Sequence, residues 1–118
     1  MPRVKRGTIK RKKKRKIFSL TKGYRGGRRN LYRTAKETIA RSLAYSYRDR
    51  KVRKREFRRL WIQRINAMVR EHGLTYSEFI HGLKQANIEL DRKILAEMAV
   101  SSPEEFRHLI QVAKASLS

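Results

Sequence analysis

The chain has 118 residues and a mass of 14.1 kDa, room for one ordinary domain or a small domain with an extension. Its 32 Lys+Arg against 10 Asp+Glu give a formal net charge of +22, and all of the excess lies in the first half: residues 1–59 hold 25 cations and 3 acids, residues 60–118 hold 7 of each. No apolar run approaches the length of a membrane span, no apolar segment and cleavage site follow the basic N-terminus, and the absence of cysteine excludes disulfides, thiol nucleophiles and Cys-ligated zinc.

Residues 1–22 read as a low-complexity basic tail. Arg3, Lys5 and Arg6 lead into Lys10-Arg11-Lys12-Lys13-Lys14-Arg15-Lys16, seven consecutive cations. Such a run repels itself and has little to bury, so disorder in the free chain is expected. A glycine hinge at 23–27 follows, within Lys22-Gly23-Tyr24-Arg25-Gly26-Gly27-Arg28-Arg29. It lacks the spacing of a phosphate-binding Walker loop. Its expected role is to re-aim the chain before a helix, with Tyr24 stacking on a base or packing locally.

From about Asn30, a plausible N-cap, the pattern turns helical. Leu31, Ala35, Ile39, Leu43 and Tyr47 recur every four residues, and neither Gly nor Pro occurs between Arg28 and His72. Two helices in line, or one long bent helix on the order of 60 Å, would fill that span. Arg33 extends the cationic surface. The pairs Glu37–Arg41 and Asp49–Arg53 are expected to give slight i,i+4 support.

The most informative stretch is Arg48-Asp49-Arg50-Lys51-Val52-Arg53-Lys54-Arg55-Glu56-Phe57-Arg58-Arg59, in which eight of twelve residues are cationic. At ~100° per residue these charges surround a helix, and a helix polar on every side needs support from outside. Neighbouring cations ~6 Å apart repel by roughly 0.7 kcal/mol per pair in bulk water, and phosphates on several sides turn that repulsion into attraction. Duplex DNA offers one groove to one face, whereas folded RNA surrounds a helix with several strands, so the pattern favours structured RNA. Tyr24, Tyr32, Tyr45 and Tyr47 are interleaved with Arg and Lys, as suits either base stacking or packing within the helix.

At Leu60 the composition changes, and residues 60–118 read as a small globular helical domain. Leu60, Trp61, Ile65, Met68 and Val69 form an apolar stripe that stops at Gly73, placed as a C′ residue. Trp61 suits the core or a base-stacking platform. Thr75-Tyr76-Ser77-Glu78 reads as a capping box opening a helix to about Ala86, with Phe79, Ile80 and Leu83 inward and Asn87 as the stop. A third helix is expected from about Leu90 to Val100, burying Ile94, Leu95 and Met98. Ser102-Pro103-Glu104-Glu105 supplies an N-cap, a Pro at N1 and a Glu at N3 for a last helix burying Phe106, Leu109, Ile110 and Ala113. No strand pattern competes, so the fold class is all-α: a long basic helical extension, then a small bundle. Arg64, Lys84, Arg92 and Lys93 are candidates for a second basic patch, with ordinary surface charge as the alternative.

Enzyme motifs are missing. His72, His81 and His108 lack metal-ligand spacing, no nucleophile elbow occurs, and the acids lie in first turns or beside cations. No cofactor, metal or small-molecule substrate is expected. A DNA-binding regulator would use residues 75–100 as a helix-turn-helix, but Tyr76 to Ala86 offers only Lys84 and Gln85, both late. A basic membrane binder is disfavoured because residues 48–59 hold only Val52 and Phe57 as apolar residues.

The stretch Tyr47-Arg48-Asp49-Arg50-x-x-Arg53-Lys54-Arg55-x-Phe57-Arg58-x-Leu60-Trp61-Ile62-x-Arg64-Ile65-Asn66-Ala67 resembles the signature of the bacterial-type ribosomal protein family numbered twenty of the large subunit. The likeness continues through Gly73-Leu74-x-Tyr76-Ser77-x-Phe79-Ile80-x-Gly82-Leu83-Lys84 and Leu90-Asp91-Arg92-Lys93-Ile94-Leu95-Ala96. It includes the opening Met1-Pro2-Arg3-Val4-Lys5. The resemblance implies a basic N-terminal extension threaded into 23S-type ribosomal RNA and a small globular domain that also binds it. It also implies a non-catalytic role early in subunit assembly. Implied partners are that RNA, neighbouring large-subunit proteins and, in some bacteria, the protein's own messenger, whose translation the globular domain represses. The implied location is cytoplasmic and ribosome-bound, with an organellar ribosome as the alternative. Met68-Val69 stands where the family usually has alanines, and His81 where Asn is common.

Overall fold

A computed structural model describes residues 2–118; Met1, which opens the first family motif, lies outside the described residues. Helices are the sole regular elements among them: α1 (Gly7–Leu20), α2 (Tyr32–Glu71), α3 (Tyr76–Gln85), α4 (Arg92–Ser101) and α5 (Pro103–Leu117), with a 3-10 turn at Gly26–Arg28. The all-α expectation holds. The chain divides into two compact units, one ending at Lys51 and one beginning at Val52, a division that falls inside α2.

In the first unit Gly7–Leu20 is a helix, within the stretch expected to be structureless in the free chain. Lys and Arg are good helix formers. Two residues near the end of α1 also find an apolar partner. Ile17 and Phe18 are half-buried, and the Phe18 ring meets Tyr32 edge-on with centroids 6.2 Å apart. The Lys14 ammonium lies 5.5 Å from the same Tyr32 ring. Thr21 is fully buried beyond the helix end, its hydroxyl within reach of the Ile17 and Phe18 carbonyls at 3.3 and 3.4 Å. Charge alone argues for disorder in the free chain; this small docking surface gives the helix apolar contacts.

The hinge turns on Gly23 and Gly26, whose φ angles of +87° and +66° suit glycine. It hands the chain to α2, one continuous helix of 40 residues. Asn30 lies in the turn ahead of α2, which starts at Tyr32, so the expected cap position is corrected. The four-residue stripe is also only partly an inner face. Ala35 and Ile39 are buried, whereas Leu31, Leu43 and Tyr47 are 58–60% exposed. A spacing of four advances ~40° per step on a helix of 3.6 residues per turn, so such a stripe winds off the contact.

The second unit has an ordinary core. Ile65 and Val69 from α2, Phe79 and Leu83 from α3, Leu95 and Ala96 from α4, and Phe106, Ile110 and Ala113 from α5 form one buried cluster. Phe79 and Phe106 pack with centroids 5.3 Å apart. Trp61, Met68, Ile80, Met98 and Leu109 flank it, half-buried, and Leu60 is 37% exposed. Val69 and Met68, where relatives are expected to carry alanines, thus fill the core. In α4 the expected inner residue Ile94 is 45% exposed, and Ala96 is buried instead. The helix starts later than expected, at Arg92, with the Asp91 carboxylate accepting from the Ile94 amide at 2.8 Å. Its inner face is centred on Leu95, Ala96 and Ala99, and at ~100° per residue Ile94 falls off that face.

The ends of α2 and α3 carry their expected chemistry. After α2, Gly73 adopts φ +81°; its amide donates to the Arg70 carbonyl, and the Leu74 amide reaches the Val69 carbonyl. The same paired closure ends α3, with Asn87 at φ +57° and its amide on Lys84, and the Ile88 amide on Leu83. Pro103 opens α5 at its first turn, but the Ser102 side chain makes no capping hydrogen bond.

Thr75 and Glu78 form the expected capping box at the start of α3. The Glu78 carboxylate accepts from the Thr75 amide at 2.8 Å and from its hydroxyl at 2.9 Å. These bonds, the backbone one first, hold the Glu78 carboxyl below its ordinary 4.5. A carboxyl with a lowered folded-state pKa contributes stability that is present above its unfolded value and lost as pH falls through the folded one. Thr75→Ala removes the hydroxyl that accepts from the Glu78 amide at 3.4 Å and donates to the Glu78 carboxylate. It is expected to lower stability at pH 7 by about 1 kcal/mol, as is typical of a lost N-cap. The deficit should shrink as acid protonates Glu78, which urea unfolding at pH 7 and pH 3 reads; equal deficits at both pH values would contradict the assignment.

Candidate nucleic-acid interface

The densest cationic segment, Arg48 to Arg59, lies wholly within α2, and all eight of its cations are exposed. Only Val52 is half-buried there, and Phe57 is 45% exposed. The charges therefore point outward around the helix, with two acids to offset them. Asp49 pairs with Arg48 at 3.0 Å and Glu56 with Arg59 at 2.9 Å. The expected i,i+4 pairs are corrected: Asp49 takes its neighbour Arg48 in place of Arg53, and Glu37 lies 3.9 Å from Arg33 in place of Arg41. A carboxylate amid excess cations has several partners within reach, and exposed pairs differ little in energy. Arg53, Lys54, Arg55 and Arg58 make no ion pair or ring contact among the described residues.

The four tyrosines separate into two pairs. Tyr24 and Tyr32 pack locally: the Tyr24 hydroxyl shares a 3.0 Å hydrogen bond with Ser42, and Tyr32 receives Phe18 and Lys14. Tyr45 and Tyr47 are 53% and 60% exposed. The Arg48 guanidinium lies 4.6 Å from the Tyr45 ring, and Arg50 and Lys51 lie 6.0 and 5.5 Å from Tyr47. Such cation–ring contacts brace the rings and concentrate positive charge beside an aromatic face.

The remaining cations of the arm are exposed from Arg3 through Arg33, except Lys14, which is half-buried against Tyr32. In the second unit Arg64, Lys84 and Lys93 are exposed. Arg92 alone of the four is fixed, its Nε donating to the Tyr76 hydroxyl at 2.7 Å. Trp61 is half-buried against the core and tilts against Phe57 with centroids 6.3 Å apart, so packing already holds it. His81 is exposed, 3.5 Å from the Gln85 amide. A cleft of about 410 Å³ between the hinge and α2 gathers Thr34, Glu37, Thr38 and Ser42 beside the tyrosines and arginines. Sequence reasoning passed over these four because hydroxyls and one acid carry no signal inside a basic helix.

Among the described residues no acidic or histidine cluster could hold a metal, and no helix is long and apolar enough to cross a membrane. With this geometry in view, the comparisons are decisive. Residues 3–109 match the family described as Ribosomal protein L20. The chain belongs to the ribosomal protein L20 family. It is 60% identical to the large ribosomal subunit protein bL20 of Oleidesulfovibrio alaskensis over 98% of this chain and 99% of that one. The bL20 protein of Thermomicrobium roseum is 56% identical over 99% of this chain and 100% of its own length, and that of Desulfosudis oleivorans 58% over 94% and 96%. L20 proteins are structural and not enzymes, and the exposed cations of α2 fall within the matched span.

Proposed function

We propose that this L20-family protein is a structural constituent of the large ribosomal subunit that binds 23S-type ribosomal RNA directly. It promotes subunit assembly by neutralising and bridging RNA segments, and it stays ribosome-bound beside neighbouring large-subunit proteins. The observation that carries this reading is the ring of eight exposed cations around α2 between Arg48 and Arg59, four of which make no ion pair or ring contact among the described residues. Phosphates from more than one strand would satisfy such a helix, and a single duplex groove would reach one side of it. Names of the relatives, each a large ribosomal subunit protein, support the same assignment. The contacting residues are the exposed cations of α1, the hinge and α2, joined by Arg64, Lys84 and Lys93 of the second unit. Arg92, already turned to Tyr76, contributes charge more than reach.

Competition binding tests the reading. Folded large-subunit RNA should displace a labelled large-subunit fragment from the full chain at far lower concentration than random-sequence duplex DNA of equal nucleotide content. Equal competition by the two would contradict the preference for folded RNA.

A further inference from the structure

One acid of the arm is out of place. Asp49 and Glu56 are each held by a neighbouring arginine at 3.0 and 2.9 Å, but among the described residues Glu37 has only Arg33 at 3.9 Å, and its side chain is 72% exposed. On a surface that attracts phosphate, a carboxylate held only by one long ion pair repels the ligand unless it receives hydrogen-bond donors. Glu37 sits in the cleft between the hinge and α2, together with Arg28, Arg41, Tyr24, Tyr45 and hydroxyl side chains. At about 410 Å³ the cleft lies within the range of small-molecule sites, roughly 300–1,000 Å³.

Its walls are fixed. The Tyr24–Ser42 hydrogen bond ties the hinge to α2, and the Thr38 hydroxyl donates to the Thr34 carbonyl at 2.8 Å. Tyr45 lines the cleft, and the Arg48 guanidinium lies 4.6 Å from its ring and braces it. Arg28 and Arg41 make no ion pair among the described residues. The cleft thus offers an aromatic surface, two guanidinium groups for phosphate and one carboxylate that only accepts. A single-stranded nucleotide splayed from its stack presents matching groups: a ring face, flanking phosphates and a Watson–Crick edge.

We propose that this cleft takes one unpaired nucleotide of the bound RNA and selects guanine. The proposal rests on the RNA-binding role above. Guanine's Watson–Crick edge carries two adjacent donors, the ring N1–H and the 2-amino group, which match the two oxygens of one carboxylate. Adenine and cytosine place an acceptor nitrogen beside their single amino group, and uracil places a carbonyl on each side of its N3–H; each would set an acceptor against Glu37. The base stacks on Tyr45, Glu37 receives the two donors, and Arg28 and Arg41 hold the flanking phosphates.

Chemical probing of large-subunit RNA bound to the full chain tests this, using a 1,2-dicarbonyl reagent that modifies the N1 and 2-amino positions of unpaired guanines. The native complex should protect at least one such guanine. Glu37→Ala should restore its reactivity while leaving the rest of the footprint, with less than about a tenfold change in overall affinity. Tyr45→Ala should restore the same guanine and weaken binding by about tenfold or more. Both side chains are exposed, so neither change threatens the fold. Identical guanine protection by native and Glu37→Ala chains, or no protected guanine in the native complex, would overturn the proposal while leaving RNA binding intact. Failure of the native chain to bind the RNA at all would overturn the functional reading as well.

Discussion

Replacing Gly82 with valine is expected to unfold the second unit, and Gly82→Ala to destabilise it by about 2–3 kcal/mol. In an exposed helix interior the alanine change would add about 1 kcal/mol of stability, so its sign is diagnostic. A Cβ on Gly82 would stand 2.6 Å from the Ala113 carbonyl oxygen and 2.9 Å from the Ala113 Cα and Cβ. These are not flexible side-chain ends but α5 backbone and a Cβ fixed to it, so the two helices must part. Parting them disturbs Phe79 and Phe106, both fully buried and in contact across the same layer. Overpacking typically costs 1–3 kcal/mol, and at ~0.05–0.15 kcal/mol per residue a unit of this size has roughly 3–10 kcal/mol in total. Urea unfolding followed by the fluorescence of Trp61, the single tryptophan, reads the effect. A Gly82→Ala chain unfolding at the same or higher urea concentration than the native one would show that α3 and α5 do not approach so closely.

The second large effect concerns RNA binding. Arg53, Lys54, Arg55 and Arg58 are exposed and make no ion pair or ring contact among the described residues, so replacing all four with glutamine should leave α2 intact. Each phosphate contact adds about 0.7–0.9 to the salt slope. Loss of four should therefore weaken binding roughly 10²–10³-fold at about 0.15 M salt and flatten the slope by about 3. Filter binding over a salt series reads both quantities, with circular dichroism as the control for helix content. A loss below about tenfold at unchanged slope would mean that these side chains do not face phosphate.

Punctuation carried most of what could be read in advance. Gly73, Asn87, the Thr75–Glu78 box and Pro103 act through their own backbone chemistry, so their effect is local and survives folding. The family motif lay in the residues themselves and marked the cationic face of α2. What could not be read depends on partners distant in sequence. The helicity of α1 rests in part on Phe18 meeting Tyr32. Burial of Ala96 over Ile94 depends on which face of α4 packs against α5, and the charge partners of Glu37 and Asp49 depend on which of several arginines lies nearest. Gly82 carries no local signal, because a glycine within a helix declares nothing until the helix it touches is known. The cleft around Glu37 is hidden for the same reason: its walls come from the hinge and from residues of α2 spread over three turns.

The exposed cations of the arm should bind by neutralising phosphates, and the salt dependence of full-chain binding to large-subunit RNA measures this. If ~10 phosphates are neutralised, log K should fall against log salt concentration with a slope of about −7 to −9. A slope shallower than about −3 would contradict it.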